Sequence, residues 1–246
     1  MAGTLALVGA GEFLEGMSEA DRHLMARAPQ QPARVIILPT AAGLEDTTPW
    51  ADMGVAHFTR LGAHATHAHV IDSRSANDPA HAAAVRASNF VYLSGGSPGH
   101  LLESLQGTLV WDAIQAVYQD GGVLAGCSAG AMVLGGATRV RRAGAPPGPP
   151  SPQTWEWATG LSLLPGIIVA PHFNRQTGER LRGLIESVPD AHVVLGVDEH
   201  TAAVSCEGSD EWQVWGRGGV AVIHGESSHR YQHGQRFTIP HVHHPA

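Results

Sequence analysis

Cysteine is nearly absent: the 246 residues contain two, Cys127 and Cys206. Two cysteines cannot make a disulfide framework in a chain this long, which excludes the small, stapled secreted classes. Positive charge is also short, with 15 Lys+Arg against 22 Asp+Glu and a formal net charge of -7. That balance argues against nucleic acid as a partner. No apolar run approaches the ~20 residues a membrane span needs, so no membrane partner is expected. Met1-Ala2-Gly3-Thr4 lacks the charged start and apolar core of a secretory signal, and the expected location is cytoplasmic. The 16 histidines include His64, His67 and His69, and His241, His243 and His244 near the C-terminus. They form neither a Cys/His finger nor an H-E-x-x-H motif. They read as surface residues, and no metal or other cofactor is expected.

What the chain does have is a hydrophobic content of 43%, enough in a chain of this length for one large domain with its own core. Strand-like apolar runs recur: Thr4–Val8, Arg34–Leu38, Asn89–Leu93, Val123–Ala125, Gly166–Val169 and His192–Val197. Helical patterns fall at about 18–28, 49–61, 79–87, 98–106, 109–119 and 175–187. Near-continuous apolar strands separated by helices predict a mostly parallel sheet covered on both faces. Later runs at 201–206, 211–215 and 219–223 have no helices between them. They predict an antiparallel extension at the C-terminal edge. The whole of 1–246 is read as one α/β domain with a His-rich tail from about 224. A stretch from Gly144 to Gln153 carries five prolines; it is excluded from helix and central strand. It reads either as a semi-rigid surface linker or as one wall of an active-site mouth.

The densest signal is Gly126-Cys127-Ser128-Ala129-Gly130. A strand-like run enters it and a small-residue helical pattern leaves it. This is G-x-S-x-G in the strand, sharp turn and helix context of a nucleophile elbow. The elbow puts its central residue at the apex, so Ser128 is the expected nucleophile and Cys127 points back into the sheet. In open parallel sheets, ligand-binding groups gather beyond the carboxyl ends of the strands. Gly95-Gly96, Ser128, His172 and Glu199 all occupy such positions. A histidine titrates near neutrality, so His172 can take the serine proton and return it to a leaving group. An acid is needed to fix the imidazole tautomer. Glu199 is preferred because its strand should neighbour that of His172; Asp198 and Glu156 stay open. The Ala129 amide and the Gly96 amide are the expected oxyanion donors. The glycine-rich turn containing Gly96 lacks the G-x-x-x-x-G-K-[ST] pattern of a phosphate loop.

Five segments together resemble a known family: Tyr92–Gly96, Gly126–Gly130, Gly160–Gly166, Pro171-His172-Phe173 and Gly196–Ala202. They are similar to the cyanophycinase and dipeptidase E family of serine peptidases, and the likeness runs from about residue 4 to 223. The resemblance implies a class I glutamine amidotransferase-like fold, a Ser128 nucleophile, a His172 base and a cyanophycinase-type Glu199. Dipeptidase E takes its acid from the loop after the elbow helix. Here that stretch is Arg139-Val140-Arg141-Arg142-Ala143, without a carboxylate. Cyanophycinases carry Asp-Gln before the histidine and Gln after the Gly-Gly turn; this chain has Ala170-Pro171 and Ser97-Pro98. Family members act beside aspartyl groups, so Gly95, Ser97, Arg142 and Arg175 are the expected substrate contacts, with Arg139 and Arg141 as further carboxylate partners.

The sequence reading is therefore a serine hydrolase of small peptides at aspartyl-type bonds, acting through an acyl-enzyme. Two rivals stand beside it. One is an α/β-hydrolase-type esterase using Asp198 and a late histidine such as His224. The other is a non-catalytic binding member of the same fold. Substrate identity and the choice between monomer and homodimer are left open.

Overall fold

In a computed structural model of the chain, residues 3–146, 151, 154–176, 178–189, 192–206 and 210–240 are described. The strands in chain order are β1 (Thr4–Val8), β2 (Arg34–Leu38), β3 (His64–His67), β4 (Phe90–Leu93), β5 (Val123–Cys127), β6 (Ala137–Arg141) and β7 (Trp155–Thr159). They continue as β8 (Ile167–Ala170), β9 (Val193–Val197), β10 (Thr201–Ser205), β11 (Glu211–Gly216), β12 (Gly219–His224), β13 (Ser227–Gln232) and β14 (Arg236–Thr238). The helices are α1 (Ser18–Arg27), α2 (Thr48–Arg60), α3 (Ser73–Ala76), α4 (Pro79–Arg86), α5 (Pro98–Leu105), α6 (Leu109–Gln119), α7 (Ala129–Val133) and α8 (Gly178–Glu186).

The main sheet has eight strands in the order β14-β11-β10-β1-β5-β4-β2-β3. Its β1, β5, β4, β2 and β3 run parallel, and β10, β11 and β14 add an antiparallel edge. Strand side chains alternate between faces, so each strand feeds two cores. Leu5, Leu7, Ile36, Leu38, Val91, Leu93 and Leu124 pack with apolar residues of α4, α5 and α6. Ala6, Val8, Val35, Ile37, Phe90, Tyr92, Ala125 and Cys127 pack with those of α1 and with Phe58 of α2. Helices on both faces of a largely parallel sheet are therefore what the apolar runs predicted.

Several elements depart from expectation. The runs after residues 166 and 192 form β8 and β9, which lie in a second, four-stranded sheet of order β13-β12-β9-β8. The run at 219–223 joins that sheet as β12 instead of extending the main edge. An apolar run specifies burial on both faces but not which sheet buries it. The stretch from 224 is no tail through residue 240: β13 pairs with β12 and β14 with β11. His241, His243 and His244 lie outside the described residues. Finally, the arginine stretch after the elbow is β6, and it pairs with β7 in a separate two-stranded sheet. The proline-rich segment joins these strands; Pro147, Gly148, Pro149, Pro150, Pro152 and Gln153 fall outside the described residues, and Ser151 faces the cavity described below.

The elbow helix α7 crosses close over β4. A Cβ built on Gly130 would sit 2.4 Å from the Leu93 carbonyl oxygen, so only glycine allows that approach. Gly130→Ala should destabilise the fold by about 1–3 kcal/mol, the range for overpacking a filled core. Urea unfolding of the two proteins measures it, and an unchanged midpoint would contradict this packing argument.

Candidate active site

The buried strand β5 ends at Cys127, and Ser128 follows with φ 49 and ψ -109. That region is sparsely populated for a residue with a side chain and stores on the order of 1–3 kcal/mol. The strain is held by pairing: the Ser128 amide donates to the Val8 carbonyl at 2.9 Å. Cys127 turns inward, fully buried, and its thiol donates to Glu12 Oε2 at 2.8 Å. Burial pushes that thiol well above its usual range, so it stays a protonated donor. Ser128 faces the other way and lines a cavity of about 860 Å³.

Beyond β8 the chain turns sharply. His172 adopts the left-handed conformation, φ 50 and ψ 35, and opens a short 3-10 turn over Phe173–Arg175. Its Nε2 lies 3.1 Å from Ser128 Oγ and its Nδ1 lies 2.8 Å from Glu199 Oε1. An ionised carboxylate only accepts, so Nδ1 carries the imidazole proton and Nε2 is free to accept from the serine hydroxyl. β8 and β9 are adjacent and parallel, which brings the residues after both strands to one end of the second sheet. Glu199 is fixed there from two sides. Its amide donates to Asn174 Oδ1 at 3.0 Å, and Arg175 Nε donates to the same Oε1 at 2.9 Å. The hydrogen bond from His172, reinforced by the Arg175 charge, holds the Glu199 carboxyl below its ordinary range.

The other two acid candidates are engaged elsewhere. Asp198 leaves on the opposite side, is buried, accepts from the Gly219 amide at 2.8 Å and pairs with Arg230. Glu156 pairs with Arg142 at 3.2 Å on the β6–β7 hairpin. His224 ends β12, whose antiparallel pairing with β9 puts it at the far end of the second sheet from Glu199. The esterase arrangement of Asp198 with His224 is therefore not assembled.

Gly96 lines the same cavity, with φ +146, and a Cβ there would fall 2.3 Å from the Ala41 carbonyl oxygen. The Ala129 amide opens α7 and has no acceptor within the helix. That helix is only five residues long, so individual amides rather than a long dipole face the site. The remaining expected contacts have other partners. The Gly95 amide donates to Glu12 Oε1 at 2.8 Å. Ser97 caps α5, accepting from the His100 amide at 3.3 Å, and lines an adjoining hollow of about 350 Å³. Arg142 holds Glu156, Arg175 holds Glu199, and Arg141 donates to the Pro146 carbonyl.

The cavity wall opposite Ser128 comes from the hairpin. Arg139, Trp155 and Trp157 line it, and the Arg139 guanidinium lies 6.0 Å from each indole centroid. Partial burial lowers the Arg139 pKa. Gln176 and Glu179 line the rim. The tryptophans, Asn174 and Glu12 were not among the residues singled out in the sequence. The alternation in Trp155-Glu156-Trp157 was a strand signal, hidden behind the adjoining prolines.

A family model described as Peptidase family S51 matches residues 5–211. The chain belongs to peptidase family S51. It is a hydrolase of the serine-peptidase class. Among S51 relatives, it is 31% identical over 226 residues to the cyanophycinase of Trichormus variabilis (strain ATCC 29413 / PCC 7937), covering 89% of this chain and 72% of that protein. The cyanophycinase of Nostoc sp. (strain PCC 7120 / SAG 25.82 / UTEX 2576) is likewise 31% identical, over 223 residues, with the same coverage of 89% and 72%. The crystal structure of a peptidase from an acI-B1 Actinobacterium superposes with a TM-score of 0.84 at 30% identity, covering 97% of this chain and 98% of that one. A putative peptidase E from Listeria monocytogenes EGD-e, at 16% identity and a TM-score of 0.58 over 94% and 99% of the two chains, shares the fold. The class I glutamine amidotransferase-like architecture expected of the family is thus present. Among the described residues no helix is long and apolar enough to cross a membrane.

The lowered Glu199 carboxyl sets a pH dependence. Its stabilising contribution is complete above the ordinary carboxyl pKa and is lost as pH falls through the lowered one. The melting-temperature advantage of wild type over Glu199→Gln should therefore shrink between about pH 6 and about pH 3. A difference that stays constant across that window would remove the assigned ion pair. At neutral pH, Glu199→Gln should reduce kcat by on the order of 10³–10⁴-fold. Asp198→Asn should reduce stability while leaving kcat within about tenfold, because its partners are structural.

Proposed function

We propose that this S51 peptidase cleaves small peptides at aspartyl-type bonds through a Ser128–His172–Glu199 triad and a covalent acyl-enzyme. The observation that carries the reading is the unbroken hydrogen-bond chain from Ser128 Oγ through His172 to Glu199, opening on a cavity large enough for a short peptide. His172 Nε2 takes the serine proton as Oγ attacks the scissile carbonyl carbon. The resulting oxyanion accepts from the Gly96 and Ala129 amides. Collapse breaks the C–N bond, and the imidazolium returns its proton to the leaving amine. Water, deprotonated by the same nitrogen, then hydrolyses the ester and regenerates Ser128. Glu199 holds the imidazole in its productive tautomer and stabilises its cation, with Arg175 fixing the carboxylate.

Selectivity for an aspartyl carboxylate is assigned to Arg139, in place of Arg142 and Arg175. Those two already hold carboxylates, whereas Arg139 faces the cavity beside two indole rings, with no carboxylate paired to it among the described residues. A half-buried guanidinium between aromatic faces is well suited to donate two parallel hydrogen bonds to a planar carboxylate. The relatives' name refers to cyanophycin, but Ala170-Pro171 and Ser97-Pro98 do not supply acidic partners for arginyl side chains, so short aspartyl and isoaspartyl peptides are the favoured class.

Two measurements test this. Ser128→Ala should abolish turnover and labelling by a fluorophosphonate, while Cys127→Ala, which removes a hydrogen bond to Glu12 but not the nucleophile, should still turn over and label, more slowly than wild type; labelling that is lost with the cysteine and survives without the serine would reverse the assignment. Across a library of short peptides, wild type should favour aspartyl members. Arg139→Gln should raise KM for those by about 10–100-fold, the value of one charged hydrogen-bonding contact. An unchanged KM would move the carboxylate subsite elsewhere.

A further inference from the structure

Beneath the elbow lies a carboxylate that the mechanism above does not use. Glu12 follows β1 in the Gly9-Ala10-Gly11-Glu12 loop and is only 6% exposed. A carboxylate is rarely buried to this degree unless each oxygen is satisfied. Here both are. Oε1 accepts from the Gly95 amide at 2.8 Å, and Oε2 accepts from the Cys127 thiol at 2.8 Å. The two donors belong to different loops. Gly95 follows β4 and precedes Gly96; Cys127 ends β5 and precedes Ser128. One side chain thus spans the residue before each of the two positions that must face each other across an oxyanion. The spacing is tight: a Cβ on Gly95 would meet Glu12 Oε1 at 2.8 Å and Ser128 Cβ at 3.3 Å.

The turn is clamped from the other side as well. The Ser97 amide donates to the Ala41 carbonyl at 2.7 Å. With Gly95 and Ser97 both fixed, the intervening peptide of Gly96 has little freedom, and its amide is the one in the turn left for a ligand. Among the described residues, no protein acceptor is seen on it.

We infer that Glu12 is the positioning residue of the oxyanion site, clamping the Gly95-Gly96 turn to the nucleophile elbow so that the Gly96 amide and Ser128 keep their separation. This rests on the triad reading above. It needs no proton transfer at Glu12. The residue acts through two hydrogen bonds accepted, so geometry rather than charge is what the turn requires. Glutamine keeps an oxygen that accepts from the Gly95 amide, and its NH2 can donate to the Cys127 sulfur once the thiol hydrogen turns away, in nearly the same volume; alanine removes the clamp; aspartate keeps the charge but is one methylene too short to span both the turn and the elbow.

The test is the inactivation kinetics of a fluorophosphonate, whose phosphoryl oxygen occupies the oxyanion site, split into binding (KI) and the covalent step (kinact). A merely destabilised but correctly formed site would label its folded fraction at the wild-type kinact. Expected are a kinact for Glu12→Ala reduced by roughly 100-fold or more, near the value of one lost oxyanion donor, with KI within threefold, and a kinact for Glu12→Gln within about fivefold of wild type. Circular dichroism establishes that each variant is folded. Glu12→Ala labelling at the wild-type rate would overturn the inference while leaving the triad standing, and so would Glu12→Gln slowed as much as Glu12→Ala, since charge would then be the requirement. If Glu12→Ala does not fold, Glu12→Asp decides: a slow kinact supports the clamp and a wild-type kinact overturns it. A wild-type protein that does not label at all removes the triad and this inference together.

Discussion

The elbow, the histidine turn, the residue after Glu199 and the Gly95 turn are all tied to five consecutive residues at the end of β1. The Val8 carbonyl accepts from the Ser128 amide at 2.9 Å, and the Ala10 carbonyl accepts from the His200 amide at 2.8 Å. A longer contact of 3.4 Å joins the His172 amide to the Gly9 carbonyl, and Glu12 takes the Gly95 amide. β1 itself sits between β5 and β10 at the centre of the main sheet. Groups separated by more than a hundred residues are thereby referred to one short piece of backbone. Its register is fixed by alternation: Leu5 and Leu7 belong to one core, Ala6 and Val8 to the other. A slip of one residue would exchange those faces and unseat the elbow and the histidine together.

Electrostatics refine what topology brings together. Three acids were open as partners of the imidazole, and each has a different partner set. Glu199 is shared by His172 and Arg175, Asp198 by Arg230 and a backbone amide, Glu156 by Arg142. Asp198 and Glu199 diverge because adjacent strand-end residues project to opposite sides. The one acidic group on the imidazole is also the one whose carboxyl is held down by its hydrogen bonds. It therefore remains an acceptor over the range in which a histidine changes charge.

Much of this was legible in the sequence because it lies at strand ends. The runs before Gly95, Ser128, His172 and Glu199 are apolar and continuous, and parallel strands present their carboxyl ends together. The elbow was readable because G-x-S-x-G states its own steric reason. Other features carried no such mark. Whether β8 and β9 join the main sheet or build a second one depends on pairings that hydrophobicity does not encode. The β6–β7 hairpin is interrupted by a proline-rich insertion that masks two alternating strands. Arginine roles were mixed because Arg142 and Arg175 find carboxylates only after β7 and β9 have been brought alongside. Glu12 had no spacing to betray it: a lone glutamate in a glycine-rich loop looks like a solvated turn until β4 and β5 flank it.

The hairpin has one more implication. It contributes Arg139, Trp155 and Trp157 to the cavity, yet it is a sheet of its own, whereas Ser128 and Gly96 rise from the main sheet and His172 and Glu199 from the second. Its strands join the rest of the chain at Ala137 and Thr159, and its far end is the proline-rich connection. Residues there can lengthen, shorten or change without altering the pairing of β1 with β5 or of β8 with β9. The proposed triad and the proposed ligand contacts thus sit on separable pieces of chain. Drift in substrate preference within such a scaffold is expected to concentrate between residues 137 and 159, and a transplanted hairpin is the natural unit by which selectivity would be exchanged between relatives.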